Sequence, residues 1–400
     1  MSYRERIQQQ LYRLQPRLPL PDDEAIAHSE ALYRYLSTLV ASAPVPFSAY
    51  MNELLYAPGL GYYSAGAAKF GEAGDFVTAP ELSPLFSRCL ARQVAEVLQE
   101  CGGQVLEFGA GRGVMARDML LALAELNALP ERYCILEVSA DLQQRQRETL
   151  AVLPAELRQR VQWIETMPAT MTGVILANEV LDAMPVTRWQ WRDGQLFELG
   201  VTLRDDGEFD WQEMPPSDPL RYWFEALPDF IKQALPAFYR SECHLWQAGW
   251  VQALAAMLER GLAILIDYGM PQHEYYLPER DDGTLICYYR HHSHDNPFVL
   301  PGLQDVTAHI DFTALAEQGL DAGFDLEGFC HQAAFLQSLG ILQEAEAVGD
   351  RHQQLRDAQA LKRLLMPHEM GESFKVLALG KQLQQSLRGF ALSDQRDRLG

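Results

Sequence analysis

The sequence predicts an α/β protein built around a parallel sheet. Between residues 83 and 182, short apolar runs alternate with stretches of helical periodicity, and each apolar run has the length of a buried strand. The predicted strands are QVLEFG, YCILEVS, VQWIET and TGVILANEV, and the predicted helices are SPLFSRCLARQVAEVLQE, VMARDMLLALAEL and DLQQRQRETL. This alternation is typical of parallel strands joined by crossover helices.

The rest of the chain predicts further strands of this sheet together with insertions. GLAILIDYG, the end of DFTALAEQGLDAGFDLEGF, and ESFKVLALG have strand patterns, and two alternating runs around Asp193-Gly194 predict a β-hairpin. The predicted organisation is a helical region ending in a long Gly-, Pro- and Tyr-rich loop (1–80), a core (81–270) with the hairpin inserted at about 186–212, a loop insertion (271–308), the remainder of the core with a helical insertion (309–380), and a C-terminal tail (381–400).

The composition is that of a globular protein with a strongly acidic surface. The 400 residues are 48% hydrophobic and 22% charged, and the formal net charge is −21. A negative protein repels phosphate backbones, so we expect no nucleic-acid partner. A basic polypeptide or a cationic small molecule is a better partner, although solubility alone also explains the charge.

The cysteines and the start of the chain indicate the compartment. The six cysteines include no Cys-x-x-Cys pair, which is typical of buried thiols in a reducing environment. MSYRERIQQQ has no apolar core of a signal peptide, and no run approaches the roughly 20 apolar residues that span a bilayer. The sequence therefore predicts a cytoplasmic protein that is not membrane-bound. The spacing of Cys287, the nearby histidines and His309 matches no zinc motif, so no metal is expected.

The strongest local motif is Glu107-Phe-Gly109-Ala-Gly111-Arg-Gly113, where the first strand meets a helix. The glycines allow a sharp turn and a close approach of backbone to ligand. The spacing differs from the dinucleotide fingerprint, and the acid before the first glycine disfavours a pyrophosphate. It suits a cationic ligand such as S-adenosylmethionine (SAM), which has a sulfonium and an amino group. The alternative is a tight turn with a strand-end acid.

Polar residues follow the second and fourth predicted strands. Glu137 ends the second strand, where an acid can accept the two hydroxyls of a ribose. Asn178, Glu179 and Asp182 follow the fourth strand and should line the cleft at the carboxyl ends of the strands, where a transferase would hold its acceptor. The alternative is a surface carboxylate at the strand end for Glu137 and a solvated polar face for the other three.

Two other segments have an ambiguous role. GDFVTAPE adds Asp75 and Glu81 in the long loop, and turn or helix-cap chemistry explains it equally well. His309 and Asp311 could form an oriented acid–base pair, although an N-cap by Asp311 is the simpler interpretation.

These segments together resemble the MidA-like family of SAM-dependent methyltransferases, which includes a mitochondrial protein arginine methyltransferase used in respiratory complex I assembly. The resemblance extends from about Pro46 to Gly380 and rests on FSAYMNELLYAPGLGYY, GDFVTAPELSPLF, VLEFGAGRG, ILEVSADLQQRQ, VILANEVLDAMPV, LIDYG, GTLICYYRHHSHDNPFVLPGLQDVTAHIDFTAL and FKVLALG. It implies a class I, Rossmann-like, seven-stranded methyltransferase sheet with helical and hairpin insertions. The lack of a mitochondrial presequence predicts a bacterial member.

The resemblance also implies roles for particular residues. The implied SAM-binding residues are Glu107, Gly109, Gly111, Gly113, Glu137 and Asn178, together with Asp75, Thr78 and Pro80 of a loop that covers the cofactor. An arginine of a protein substrate is the implied acceptor. Its guanidinium stays protonated, so carboxylates must hold it. We assign that task to Glu179, helped by Asp182, Asp75 or Glu81, and we assign His309 to accepting the proton.

The sequence leaves three alternatives open. The acceptor could be a small molecule or a different side chain. The protein could instead be a SAM-binding assembly factor with little catalysis. The hairpin or the helical insertion could also form a homodimer.

Overall fold

The computed structural model describes residues 2–14, 17–65, 78–346 and 351–400, apart from the side chains of Arg351 and His352. Its helices are α1 Tyr3–Arg13, α2 Asp23–Leu39, α3 Phe47–Tyr56, α4 Ala79–Leu82, α5 Pro84–Cys101, α6 Val114–Glu125, α7 Ala140–Leu150, α8 Ala155–Arg158, α9 Asp218–Ala226, α10 Asp229–Ala234, α11 Leu245–Met257, α12 Gln272–Tyr275, α13 Phe312–Asp321, α14 Gln332–Ser338, α15 Ile341–Glu346 and α16 Arg351–Leu365. Its strands are β1 Val45–Pro46, β2 Gln104–Phe108, β3 Tyr133–Leu136, β4 Val161–Ile164, β5 Met171–Asn178, β6 Thr187–Arg192, β7 Gln195–Leu203, β8 Phe209–Met214, β9 Phe238–Cys243, β10 Leu258–Met270, β11 Ile286–Tyr289, β12 His292–His294, β13 Asp305–Thr307, β14 Ile310–Asp311, β15 Asp325–His331 and β16 Phe374–Lys381. None of the helices in these described ranges is both long and apolar enough to cross a bilayer.

The chain forms two compact units. The first unit contains the described residues up to 65 together with Asp182–Gln247 and His273–His309. The second unit contains the described residues from 78 to 181 together with Ala248–Gln272 and Ile310–Gly400.

The second unit contains the predicted α/β sheet. Its strand order is β15-β16-β10-β5-β2-β3-β4, and β16 is antiparallel to both of its neighbours while the strands from β10 to β4 are parallel. These are the seven strands that the sequence predicts; the two-residue β14 pairs with β10 and makes the sheet eight-stranded within the described residues.

The register of this sheet aligns three chain positions. Phe108 of β2 pairs with Leu136 of β3 on one side and with Ala177 of β5 on the other. The next residues along the three strands are Gly109, Glu137 and Asn178. Because parallel strands end at the same edge, these positions lie side by side at the carboxyl edge, where the chain order reverses around β2.

Helices α5 and α6 bury apolar side chains in the core of this unit. Phe86 and Leu90 of α5 and Met119 and Leu123 of α6 are buried in one cluster with the sheet. Helix α5 begins after Ser83, whose hydroxyl accepts a hydrogen bond from the backbone N–H of Leu85 at 3.3 Å. The packed helices hold the strands in register and thereby hold the carboxyl edge in shape.

The first unit contains an antiparallel sheet in the order β1-β7-β6-β9, with β8 on β7. The predicted hairpin is found as β6 and β7, which pair Arg192 with Gln195 across a two-residue turn. Asp193 and Gly194 have φ angles of 50° and 83°, as a type I′ turn requires. The sheet continues through β8 and β9, so the hairpin is part of a larger inserted element.

Two segments differ from the predicted loops. Residues 47–56 form α3, with Phe47, Tyr50, Met51, Leu54 and Leu55 on its buried side; the surrounding prolines and glycines conceal this helical spacing. Within the segment predicted as a loop insertion (271–308), β11, β12 and β13 form a small antiparallel sheet. Strands of three or four residues are too short for alternation to be recognised in the sequence.

Two glycine substitutions should change stability in opposite directions, because Gly194 has a positive φ and Gly249 lies inside a helix. A methyl group on Gly194 meets nothing within 4 Å but must adopt a φ of +83°, so Gly194→Ala should lower the free energy of unfolding by about 1 kcal/mol. Gly249, inside α11, also has open space around it, and Gly249→Ala should raise that free energy by up to about 1 kcal/mol. Urea unfolding of both variants measures the difference, and equal effects would contradict this account of the turn.

Candidate active site

The glycine loop connects β2 to α6. Its three glycines, Gly109, Gly111 and Gly113, have φ angles of 63°, 50° and 80°. A Cβ on Gly109 would lie 2.6 Å from Cγ2 of Val180, whereas a Cβ on Gly111 would meet no atom within 4 Å. Gly109 therefore allows the loop to pack against the segment after β5, and Gly111 leaves open space beside the backbone into which a ligand can fit.

Glu107 lies in β2 and is buried, with 1% of its surface exposed. The hydroxyl of Tyr133 donates a hydrogen bond to its carboxylate at 2.6 Å. Burial raises the pKa of Glu107 to about 7, although the hydrogen bond from Tyr133 opposes the shift. A contact between Glu107 and the amino group of SAM stays a prediction.

Glu137 follows β3 and is less completely buried than Glu107, with 9% of its surface exposed. Its carboxylate accepts hydrogen bonds from the backbone N–H of Ser139 at 2.9 Å and from Nε2 of Gln146 at 3.2 Å. Burial raises the pKa of this carboxyl, and these hydrogen bonds lower it. The carboxylate is thus held in one orientation at the carboxyl edge of the sheet.

Gln146 of α7 is a residue that sequence reasoning missed. It is fully buried and donates from Nε2 to the backbone oxygen of Gly111 at 2.9 Å as well as to Glu137. One signal could have identified it: on a helix, residues 142, 146 and 150 share a face, so Gln146 is the polar residue between Leu142 and Leu150.

The segment after β5 has a strained backbone with several hydrogen bonds. Glu179 has a φ of 55°, which is uncommon for a residue with a side chain. Its Oε1 accepts from the backbone N–H of Ala79 at 3.3 Å and from Nδ2 of Asn178 at 3.0 Å. The buried carboxylate of Asp267 accepts from the backbone N–H groups of Val180 at 3.2 Å and Leu181 at 2.9 Å. Strained residues held in this way cluster at functional sites.

The open space at Gly111 and one buried polar atom fit a ligand at this edge. Asn178 is buried, and its Oδ1 has no hydrogen-bond partner within the described part of the chain. A buried acceptor of this kind is costly unless something donates to it. Together with the glycine loop and the Glu137 carboxylate, these groups suit a nucleoside bearing hydroxyl and amino donors.

The loop predicted to cover the cofactor is only partly described. Asp75 lies outside the described residues. Thr78 is the residue before α4 and makes no side-chain cap hydrogen bond, and Pro80 is buried in the first turn of that helix, next to the exposed Glu81. The predicted contacts of Asp75, Thr78 and Pro80 with the cofactor stay predictions.

Asp182 and His309 belong to the first unit. Asp182 is buried, and its backbone oxygen accepts from the N–H of Ala308 at 3.0 Å. The backbone of His309 donates to Oγ1 of Thr284 at 3.1 Å, and its oxygen lies 2.8 Å from Nε2 of His244. Asp311 is the N-cap of α13, accepting from the N–H of Ala314 at 3.1 Å, so the capping interpretation of this residue is confirmed.

A cluster of tyrosines and carboxylates in the first unit was not identified from the sequence. The rings of Tyr56 and Tyr63 stack with centroids 5.5 Å apart, and the Tyr63 hydroxyl donates to both carboxylate oxygens of Asp305 at 3.0 and 2.9 Å. Burial, followed by the charges of Asp305 and Asp182, raises the pKa of both tyrosines. Burial, followed by the same two carboxylates, also raises the pKa of Tyr288. We call these five residues, Tyr56, Tyr63, Tyr288, Asp182 and Asp305, the tyrosine–aspartate cluster.

No group of three or more His, Cys, Asp or Glu side chains is placed to hold a metal ion among the residues that the structure describes. The cysteines at positions 89, 101, 134, 243, 287 and 330 are free thiols.

The sheet order and the glycine loop are those of a nucleoside-binding α/β transferase, and known proteins identify the family. The family described as "Putative S-adenosyl-L-methionine-dependent methyltransferase" matches residues 89–330, and this chain belongs to that family. A crystal structure from Burkholderia thailandensis bound to S-adenosyl-homocysteine is 44% identical, with a TM-score of 0.89, covering 94% of this chain and 98% of the other. A native crystal structure from the same organism is 42% identical, with a TM-score of 0.87 and the same coverage.

More distant relatives carry names that state an activity. The mitochondrial protein arginine methyltransferase NDUFAF7 homolog of Drosophila melanogaster is 27% identical in an alignment of 408 positions, which covers 91% of this chain and 89% of the relative. Human mitochondrial NDUFAF7, also named a protein arginine methyltransferase, is 27% identical in an alignment of 391 positions, which covers 87% of this chain and 82% of the human protein. The resemblance to the MidA-like family and the expected SAM-dependent methyltransferase with its class I fold are thus confirmed.

The predicted cytoplasmic location is wrong by the same comparison. Each of these named relatives is mitochondrial by its name, from Drosophila melanogaster and Danio rerio to Homo sapiens.

The buried carboxyl of Glu107 predicts a pH dependence of stability. Its folded pKa of about 7 lies above the ordinary value of 4.5, so folding favours the protonated form. This stabilising contribution is complete below about pH 4.5 and is lost as the pH rises through about 7. Glu107→Gln keeps the group neutral at every pH. As the pH rises from about 5 to about 8, the free energy of unfolding of the native chain should therefore fall by up to about 3 kcal/mol relative to that of Glu107→Gln.

Urea unfolding at a series of pH values measures this difference. Parallel pH profiles of the native chain and Glu107→Gln would mean that Glu107 is ionised throughout this range.

Proposed function

We propose that this SAM-dependent methyltransferase methylates an arginine side chain of a protein. The observation that carries the proposal is the Glu179 carboxylate, which follows Asn178 at the end of β5 and is held by hydrogen bonds from Ala79 and Asn178. Guanidinium groups bind carboxylates through paired hydrogen bonds and also stack on aromatic faces. The names of the relatives support the same acceptor. Homodimerisation stays a prediction of the sequence.

The proposed SAM site lies at the carboxyl edge of β2, β3 and β5. The backbone of Gly109, Gly111 and Gly113 provides the close approach, and Glu137 accepts hydrogen bonds from the two ribose hydroxyls. Asn178 supplies the buried Oδ1 as an acceptor, and Glu107 contributes a carboxyl near the glycine loop. When bound, SAM supplies an activated methyl group on its sulfonium.

The proposed chemistry is an in-line displacement at the methyl carbon. A bond from a guanidinium nitrogen to the methyl carbon forms while the bond from sulfur to that carbon breaks, and S-adenosyl-homocysteine leaves as the neutral thioether. Most of the catalysis is positioning of the two groups. The methylated guanidinium must lose one proton, and His309 is the proposed acceptor.

Glu179 is the proposed residue that holds the guanidinium toward the methyl group, with Asp182 assisting. Its strained backbone and its hydrogen bonds to Ala79 and Asn178 orient the carboxylate before any substrate binds. A carboxylate in a fixed position stabilises the developing positive charge without reorganisation.

The cofactor assignment predicts the effect of Gly111→Val. The side chain would fill the space beside the loop, so binding of SAM should weaken by at least about a hundredfold in a calorimetric titration. Gly102→Val is the matched control, because Gly102 has a similar φ of 66° and also has nothing within 4 Å, but lies before β2 rather than after it. Gly102→Val should bind SAM like the native chain; equal losses in both variants would contradict the assignment.

The acceptor assignment predicts the effect of Glu179→Gln. The amide keeps an oxygen that accepts from Ala79 and Asn178, so the fold and the affinity for SAM should persist. Loss of the charge should lower methyl transfer to arginine-containing polypeptides by about a hundredfold or more.

Labelled methyl transfer, followed by hydrolysis and identification of the methylated amino acid, measures this effect. Undiminished transfer by Glu179→Gln would reject the role of Glu179, and a label on lysine or on a small molecule would reject the arginine acceptor.

A further inference from the structure

Gln146 joins three elements of the second unit. Its Nε2 donates to the backbone oxygen of Gly111 at 2.9 Å and to Oε2 of Glu137 at 3.2 Å. Its Oε1 accepts from Nε1 of Trp163, on β4, at 2.8 Å. A Cβ on Gly113 would lie 3.3 Å from Cα and from Cγ of Gln146, so the loop packs directly on this residue.

These partners determine the orientation of the amide. The indole N–H of Trp163 can only donate, whereas the carbonyl of Gly111 and an ionised carboxylate of Glu137 can only accept. The oxygen of Gln146 must therefore face Trp163, and the NH₂ group must face the glycine loop and the carboxylate. Because the side chain is fully buried, reversing the amide would leave several buried groups without partners.

A second glutamine in the same helix shows what is particular to Gln146. Gln143 donates from Nε2 to the backbone oxygen of Glu137 at 2.8 Å and does not bond to the carboxylate. Among the residues that the structure describes, only Gln146 has an amide that contacts both the glycine loop and the side chain of Glu137. Two groups that a nucleoside would contact thus share one donor.

We propose that Gln146 is a positioning residue that aligns the Glu137 carboxylate with the glycine loop so that the site selects a nucleoside with an intact ribose. This inference rests on the proposed assignment of Glu137 to the ribose hydroxyls. The NH₂ group holds one carboxylate oxygen and leaves the carboxylate oriented along the sheet edge. Without that hydrogen bond, the carboxylate keeps the bond from the backbone N–H of Ser139 to Oε1 but loses the donor that holds Oε2, so it can pivot about the remaining bond and the gain from the two ribose hydroxyls decreases.

The test compares two ligands by calorimetric titration: S-adenosyl-homocysteine and its 2′-deoxy analogue. The native chain should bind the ribose form about tenfold or more tightly than the deoxy form, since a site built around a hydroxyl loses a hydrogen bond without it. In Gln146→Met, affinity for the ribose form should decrease about tenfold, whereas affinity for the deoxy form should change less than about threefold.

Gln143→Met is the matched control, with the same substitution on the same helix, and should keep the native preference for ribose. Trp163→Phe is a second variant that leaves Gln146 in place but removes the donor that orients its amide. It should also decrease the preference for the ribose form, by a smaller factor than Gln146→Met does. Thermal unfolding of each variant verifies that it is folded.

The outcomes separate the two levels of the proposal. A native chain that binds both ligands equally overturns the ribose role of Glu137 and this inference with it. If Gln146→Met and Trp163→Phe keep the native preference for ribose, this inference alone is overturned. The same holds if those variants lose affinity for both ligands equally.

Discussion

The parallel pairing of β2 with β3 and β5 is the constraint on which the site depends. The register that places Phe108 beside Leu136 and Ala177 brings the next residue of each strand to one edge of the sheet. A shift of one residue in either pairing would move Glu137 or Asn178 away from the glycine loop and reverse the face of every following side chain. The buried helices α5 and α6 stabilise that register through apolar packing, so a site made of polar groups rests on an apolar core.

Buried polar groups orient the segments that leave this edge. Gln146 holds the glycine loop and the Glu137 carboxylate, and Asp267 holds the backbone after β5, where Glu179 has a positive φ. Each group is buried, and each is satisfied by donors or acceptors from a neighbouring segment. Such satisfied networks specify one geometry, since any alternative leaves a polar group buried without a partner.

Much of the sheet could be predicted from the sequence because buried parallel strands are continuous apolar runs with glycine turns between them. The predicted strands GLAILIDYG and ESFKVLALG are β10 and β16, and the hairpin around Asp193-Gly194 is present because its turn needs positive φ. Helix α3 was missed because prolines and glycines surround its apolar stripe. The small sheet from β11 to β13 was missed because its strands are three or four residues long.

The placement of a candidate site residue was predictable only where that residue adjoins a strand end. Gly109, Glu137 and Asn178 have that position, which sequence order alone reveals. Gln146, Tyr63 and Asp305 reach their partners through tertiary packing: Asp305 lies 242 residues from Tyr63, and Gln146 lies 35 residues from Gly111. Helical periodicity can single out Gln146 as a polar residue on an apolar helix face, but neither periodicity nor motif spacing identifies the partners of these three residues.

A crystal structure of this chain with S-adenosyl-homocysteine tests the central claim most directly, because that claim concerns which atoms meet at the edge of the sheet. The account predicts ribose hydroxyls at about 3 Å from the Glu137 carboxylate and the ligand lying beside Gly111. A ribose that contacts other residues, with Glu137 still bonded to Ser139 and Gln146, would contradict it.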